Sequence, residues 1–152
     1  MSASLIITLK TLFERDLNKL KAEIESYQDE RNIWRTEKGI ANSAGNLCLH
    51  LIGNLNSYIG AEIGKTGYVR NRAGEFALKD IPRTELIKQI DDSIGVVSEA
   101  LDRLTEKNID DEYPMLVFEK KTTYVFFLVH LTTHLAYHLG QINYHRRLID
   151  VA

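Results

Sequence analysis

The chain is 152 residues long, the size of one domain, and its hydrophobic fraction of 44% is enough to build a buried core. Lys+Arg of 19 against Asp+Glu of 21 leaves a net charge of -2, which argues against the basic footprint of a nucleic-acid binder. The single cysteine, Cys48, excludes an intrachain disulfide framework and a multi-cysteine metal site, and 2 prolines with 9 glycines are too few breakers for a sandwich or barrel of short strands.

Four stretches carry helical periodicity. The first runs from about Ser4 to Tyr27, with Leu5, Leu9, Leu12, Leu17, Leu20, Ile24 and Tyr27 on one face and Ser4 as a candidate N-cap. The polar linker Gln28–Ala41 holds Trp34, whose indole is expected to cover one end of the core. The second helix, about Ser43 to Ile63, is capped by Asn42 or Ser43 and ended by Gly64. Its apolar face of Leu47, Leu51, Leu55, Tyr58 and Ile59 is interrupted by His50 and Asn54, with Asn46 one turn earlier on the same line. The connection Lys65–Ile81 is polar and contains Arg70, Arg72, Glu75 and Phe76. The third helix starts at Pro82 as its first residue and carries Ile87, Ile90, Ile94, Val97, Leu101 and Leu104 to about Lys107. A second connection, Asn108–Lys121, has room for a short extended piece around Tyr113-Pro114. The fourth helix, about Thr122 to Ile149, lines up Phe127, Leu131, His134, Leu135, His138, Ile142, His145 and Ile149.

These elements predict an all-α protein, most simply a four-helix bundle, as a single domain over residues 1–152. Seventeen extended residues, Lys65–Ile81, span about 55 Å. A helix of 21 residues is only about 32 Å long. The connection can therefore run the length of the bundle as a crossover and leave helices two and three parallel. The longest apolar run, Tyr124–Leu131, is too short to cross a membrane, and the N-terminus lacks the basic region of a signal peptide. The expected compartment is the cytoplasm, with neither membrane nor nucleic acid as a partner.

Four of the 5 histidines lie in the fourth helix, at His130, His134, His138 and His145. Imidazoles at i and i+4 project from one helix face and can share one metal ion, which admits either His130/His134 or His134/His138. A third imidazole must come from another helix, and only His50 offers one. Burying three imidazoles without partners is costly, whereas one metal ion satisfies three nitrogens together. The Glu-x-x-His of di-iron bundles and the His-Glu-x-x-His of zincins are both absent.

The run His134-Leu-Ala-Tyr-His138-Leu-Gly140-Gln141 resembles the last-helix signature of the DinB/YfiT-like superfamily, His-x-x-x-His-x-Gly-Gln. His50, within Leu47-Cys-Leu-His50-Leu-Ile-Gly-Asn54, matches that family's inward histidine in helix two, and Arg70-Asn-Arg72-x-x-Glu75-Phe76 is similar to an uncharacterised bacterial branch. The resemblance spans nearly the whole chain. It implies a four-helix bundle with parallel second and third helices, a homodimer, and a divalent metal, Zn²⁺ or Ni²⁺, on His50, His134 and His138. It also implies metal-dependent hydrolysis, or transfer and isomerisation reactions that use small thiols such as bacillithiol, mycothiol or glutathione. In one departure, Leu139 stands where many members carry arginine before Gly-Gln.

A three-imidazole site leaves the charge of an ion uncancelled, which suits activation of water or of a small-molecule thiol. Cys48, two positions from His50, falls on another face and reads as a small buried hydrophobe. His130, Asn54, Asn46 and Gln141 are candidates to support the ligands, and Arg70 and Arg72 to recognise an anionic substrate, unless that pair lies in solvent with Glu75. Tyr124, Tyr137 and Tyr144 are expected to pack. A helical bundle that holds metal without catalysis, or that acts only through protein contacts, is the alternative to a hydrolase or thiol S-transferase.

Overall fold

The structure, a computed structural model, describes residues 2–151. It is all-helical. Five α-helices follow one another: α1 (Ser2–Ser26), α2 (Ala44–Leu55), the short α3 (Arg72–Ala77), α4 (Arg83–Leu101) and α5 (Tyr124–Ile149). A 3-10 turn, Glu30–Trp34, precedes α2, and a π-helical turn, Asn56–Ala61, extends it. Among the described residues the only β-pairing is the isolated antiparallel bridge between Glu112 and Thr123, the short extended piece expected near Tyr113.

The apolar stripes decide the packing. α1 lies against α4 and α5, and α2 lies against the same two helices. The core they enclose includes Leu9, Phe13, Leu17, Leu20 and Ile24 of α1, Leu51 and Leu55 of α2, Leu86, Ile90 and Val97 of α4, and Phe127, Leu131, Leu135 and Ile142 of α5. α2 is buried along its whole length, so His50 and Asn54 are inside whichever way they point. Trp34 covers one end of α2 so closely that a Cβ added at Gly45 would stand 2.6 Å from its ring.

Caps and ties set the ends. Ser43 accepts from the Asn46 amide at the start of α2, and Thr123 accepts from the Phe126 amide at the start of α5. The Asp150 carboxylate, just beyond α5, accepts from the Gln28 and Asp29 amides and from the Asn32 side chain, fixing the linker after α1 to the end of α5. Five expectations need correction. α1 begins at Ser2, so Ser4 is inside the helix and is not its cap. Pro82 is the N-cap of α4 and not its first helical residue. α4 ends at Leu101, with Leu104 and Ile109 buried from irregular turns that follow it. The first connection is not wholly extended, because α3 forms within it. Tyr137 and Tyr144 do not pack into the core; they stand 65% and 64% exposed on the outer face of α5.

Candidate metal centre

The i, i+4 spacing places His134 and His138 on the inner edge of α5, facing His50 on α2. One nitrogen from each of the three lies within 4.8 Å of the other two, a group that could hold a metal ion. The Nε2 atoms of His50 and His134 are 3.2 Å apart. Two nitrogens bound tetrahedrally to one ion at about 2.0–2.1 Å stand about 3.3 Å apart, so this separation is that of two ligands of one ion.

The outer nitrogens explain how the rings are aimed. His138 Nδ1 donates to the side-chain oxygen Oε1 of Gln141 at 2.7 Å, one turn along α5. His50 Nδ1 donates to Glu75 Oε1 at 3.0 Å. Each bond consumes a proton at Nδ1 and leaves Nε2 with its lone pair, the form a metal needs. His134 Nδ1 is buried without a hydrogen-bond partner among the described residues. Burial, with His138 and His50 close by, pushes the His134 pKa down to about 4. Burial also lowers that of His50, against the opposing pull of Glu75. Both rings are therefore neutral at pH 7, and the donor set fits a divalent ion of borderline softness.

Glu75 comes from α3, whose start is capped by Asn71 Oδ1 accepting from the Gly74 amide. Asn46 Nδ2 donates to the carbonyls of Glu75 and Leu78, which clamps the α3 segment to the start of α2. Arg70 grips the Glu75 carboxylate with two bonds, Nε to Oε2 at 2.8 Å and Nη2 to Oε1 at 3.0 Å. The pair is buried, with side chains 13% and 6% exposed, and is not the surface pair that a polar connection suggests. Phe76 packs on His50 with ring centroids 5.0 Å apart. The carboxylate fits because residue 53 lacks a side chain: a Cβ there would lie 1.9 Å from Glu75 Oε2.

A cleft of about 250 Å³ opens beside the histidines, lined by His50 and His134 and by Asn54, Tyr58, Arg70, Arg72 and His130. Asn54 Oδ1 is buried there without a partner among the described residues. The Arg70 guanidinium lies 5.6 Å from the centre of the Tyr58 ring. His130 is outside the three-histidine group and packs edge-on against Phe118 at 4.8 Å. His145 is a core residue: its Nε2 donates to the Arg35 carbonyl, and its Nδ1 accepts from the Tyr27 hydroxyl at 2.6 Å. Cys48 is buried, its thiol pushed up to about 12 by burial, and so is inert as a nucleophile.

Spacing pointed to the histidines, to Asn54 and to Gln141. It missed the part played by Gly53 and gave Glu75 only a solvent role; the one available signal was an acid between two arginines and a phenylalanine in an otherwise polar connection. No helix among the described residues is long and apolar enough to cross a membrane. A comparison with curated proteins gives no match. A family model described as "Protein of unknown function (DUF1572)" matches residues 2–151, and the chain belongs to that family.

Proposed function

We propose that the chain is a metal-dependent enzyme acting on a small molecule, with His50, His134 and His138 holding a divalent ion, Zn²⁺ or Ni²⁺. Water or a low-molecular-weight thiol is the second reactant, which makes the protein a hydrolase or a thiol S-transferase. One observation carries the reading: three imidazoles converge, and two of them are aimed by hydrogen bonds from their outer nitrogens. An ion held by three neutral ligands supplies a Lewis acid with its charge uncancelled, next to an open cleft.

The chain's own groups then divide the remaining work. Gln141 and Glu75 hold two of the imidazoles in the metal-binding tautomer. Arg72 lines the cleft with no ion-pair partner among the described residues, and binds an anionic group of the substrate. Asn54 Oδ1 accepts a hydrogen bond from the substrate, which relieves a buried unpaired acceptor. Arg70, already spent on Glu75, supports the site and does not recognise substrate. His130 forms part of the rim. The modest size of the cleft limits the substrate to a small molecule.

The same reading takes the four long helices as a DinB/YfiT-like four-helix bundle, with residues 65–81 as the crossover that leaves α2 and α4 parallel. It also makes the protein a homodimer. Phe126, Val129, Tyr137, Tyr144 and Leu148 are all exposed and recur at three- to eight-residue spacings along the outer face of α5, a stripe that a second copy can cover. Sedimentation at micromolar concentration giving the monomer mass of 17.4 kDa would refute the dimer.

The test of function has two steps. Untagged protein is assayed for stoichiometric bound metal. The loaded protein is then screened for turnover of thiol-reactive electrophiles with several thiols and with water alone. Failure to carry or acquire a divalent ion overturns the proposal. Loaded protein that is inert across the panel reduces it to a metal-holding module.

A further inference from the structure

We infer that Glu75 is a positioning residue that selects the tautomer of His50. Its purpose rests on the metal reading above, but the tautomer is a property of the chain alone.

His50 Nδ1 has two polar neighbours of opposite character. Glu75 Oε1 is 3.0 Å away and, as a carboxylate oxygen, can only accept. Arg70 Nη2 is 3.4 Å away and can only donate. The two partners demand opposite tautomers. The carboxylate requires the proton on Nδ1 and leaves a lone pair on Nε2. The guanidinium requires a lone pair on Nδ1 and sends the proton to Nε2, where it would point at the other two imidazoles. In the native arrangement the carboxylate wins. It is nearer, and it engages Arg70 through both oxygens at 2.8 and 3.0 Å, so the guanidinium is held more closely by the carboxylate than by the ring. Glu75 stands behind His50 and outside the three-histidine group, so it acts through the ring and is not a ligand.

Three features outside the ion pair hold the carboxylate in this place. Asn71 caps α3, Asn46 clamps the backbone on either side of Phe76, and Gly53 clears the space that the carboxylate fills. A carboxylate wanted only as a counter-charge for Arg70 would not need to be driven against the face of α2.

The arrangement makes an unusual prediction. Removing Glu75 alone does more than delete a support, because it leaves Arg70 as the only partner of Nδ1 and inverts the tautomer. Removing Arg70 as well removes the inverting donor. The loss of metal affinity in Glu75→Ala should therefore be partly repaired in Arg70→Ala/Glu75→Ala, the reverse of what two structural deletions do.

The test uses ¹⁵N-labelled, metal-free protein at about pH 8, where the ring is neutral, and reads the His50 tautomer from long-range proton–nitrogen correlations. Wild type is expected to carry the proton on Nδ1, and Glu75→Ala on Nε2. Zn²⁺ titration should show an affinity loss of about 10- to 100-fold in Glu75→Ala and a smaller loss in the double variant. A wild-type His50 protonated on Nε2 overturns the inference and needs no variant to fold. A double variant that binds Zn²⁺ no better than Glu75→Ala overturns it as well. If wild type carries the Nδ1 proton and Glu75→Ala inverts it, yet neither binds a divalent ion, the tautomer selection stands and the metal reading falls.

Discussion

Gly53→Ala offers a sharp test of the site's packing because helix propensity and tertiary structure predict opposite signs. Alanine in place of glycine inside a helix ordinarily stabilises by roughly 1 kcal/mol. Here the new Cβ would sit 1.9 Å from Glu75 Oε2 and 2.6 Å from its Cδ, so the carboxylate must leave. Its departure breaks a buried ion pair with Arg70, which costs roughly 3–5 kcal/mol, and removes the acceptor for His50 Nδ1. Subtracting the propensity gain leaves a net destabilisation of about 2–4 kcal/mol. In a domain of this size that lowers the melting temperature by roughly 5–15 °C. Urea and thermal unfolding are the assays, with Gly95→Ala as the control. A Cβ at Gly95, in α4, meets nothing within 4 Å, so that variant should gain up to about 1 kcal/mol. Combined with Glu75→Ala, Gly53→Ala should add little further cost, because the obstacle has gone. A Gly53→Ala protein as stable as wild type would refute the reasoning, since the carboxylate would then have no fixed place against α2.

Other outcomes follow from the same geometry. His50→Ala, His134→Ala and His138→Ala should each sharply weaken binding of a divalent ion in a calorimetric titration, while His130→Ala changes it modestly or not at all; the opposite pattern for His130 and His138 would show that the other i, i+4 pair holds the ion. Chelation should lower the melting temperature and leave the far-UV helix signal in place at 25 °C, because the apolar stripes of the long helices close without the histidines; loss of helicity would reveal a metal-dependent fold. Burial holds the His145 pKa below its ordinary 6.5, so the unfolded chain takes up that proton first as pH falls. The contribution of His145 to stability is then complete above about pH 6.5 and is lost as the pH falls through the lowered folded value. An NMR titration should place its midpoint below 6.5, and a midpoint at or above that value would sink the argument.

What could be read in the sequence was what repeats along a helix. Leu17, Leu20 and Ile24, or Leu131, Leu135 and Ile142, declare their shared face by spacing alone, and His134 and His138 ride on the edge of one such face. His50 and Asn54 stood out because they interrupt an apolar stripe. Glu75 carries no such mark. Its importance arises from a missing side chain 22 positions earlier, and a relation between a glycine and a carboxylate on different elements has no period. α3 has only six residues, too few to establish a stripe. The end of α4 carries no mark in the sequence, because Leu104 and Ile109 are buried like helix residues but from irregular turns. The tyrosines of α5 depart from expectation because aromatic residues usually pack inward, whereas Tyr137 and Tyr144 lie on the side opposite the core.

The π-helical turn Asn56–Ala61 extends the second helix with a separate phase. Its bonds reach one residue further than α-helical ones, from the Glu62 amide to the Ser57 carbonyl and from the Gly64 amide to the Ile59 carbonyl. Each residue of an α-helix turns the next side chain by about 100°, so one extra residue absorbed in the turn resets every side chain beyond it. Upstream, the phase is dictated by His50 meeting α5 and Gly53 meeting Glu75. Within the turn and just after it, the phase is dictated by Ile59 and Ile63, which are buried in the core. A regular helix would have to serve both demands with one rotation. The wide turn acts as a vernier between them, and removing a single residue from it would force the chain to choose between aiming an imidazole and burying an isoleucine.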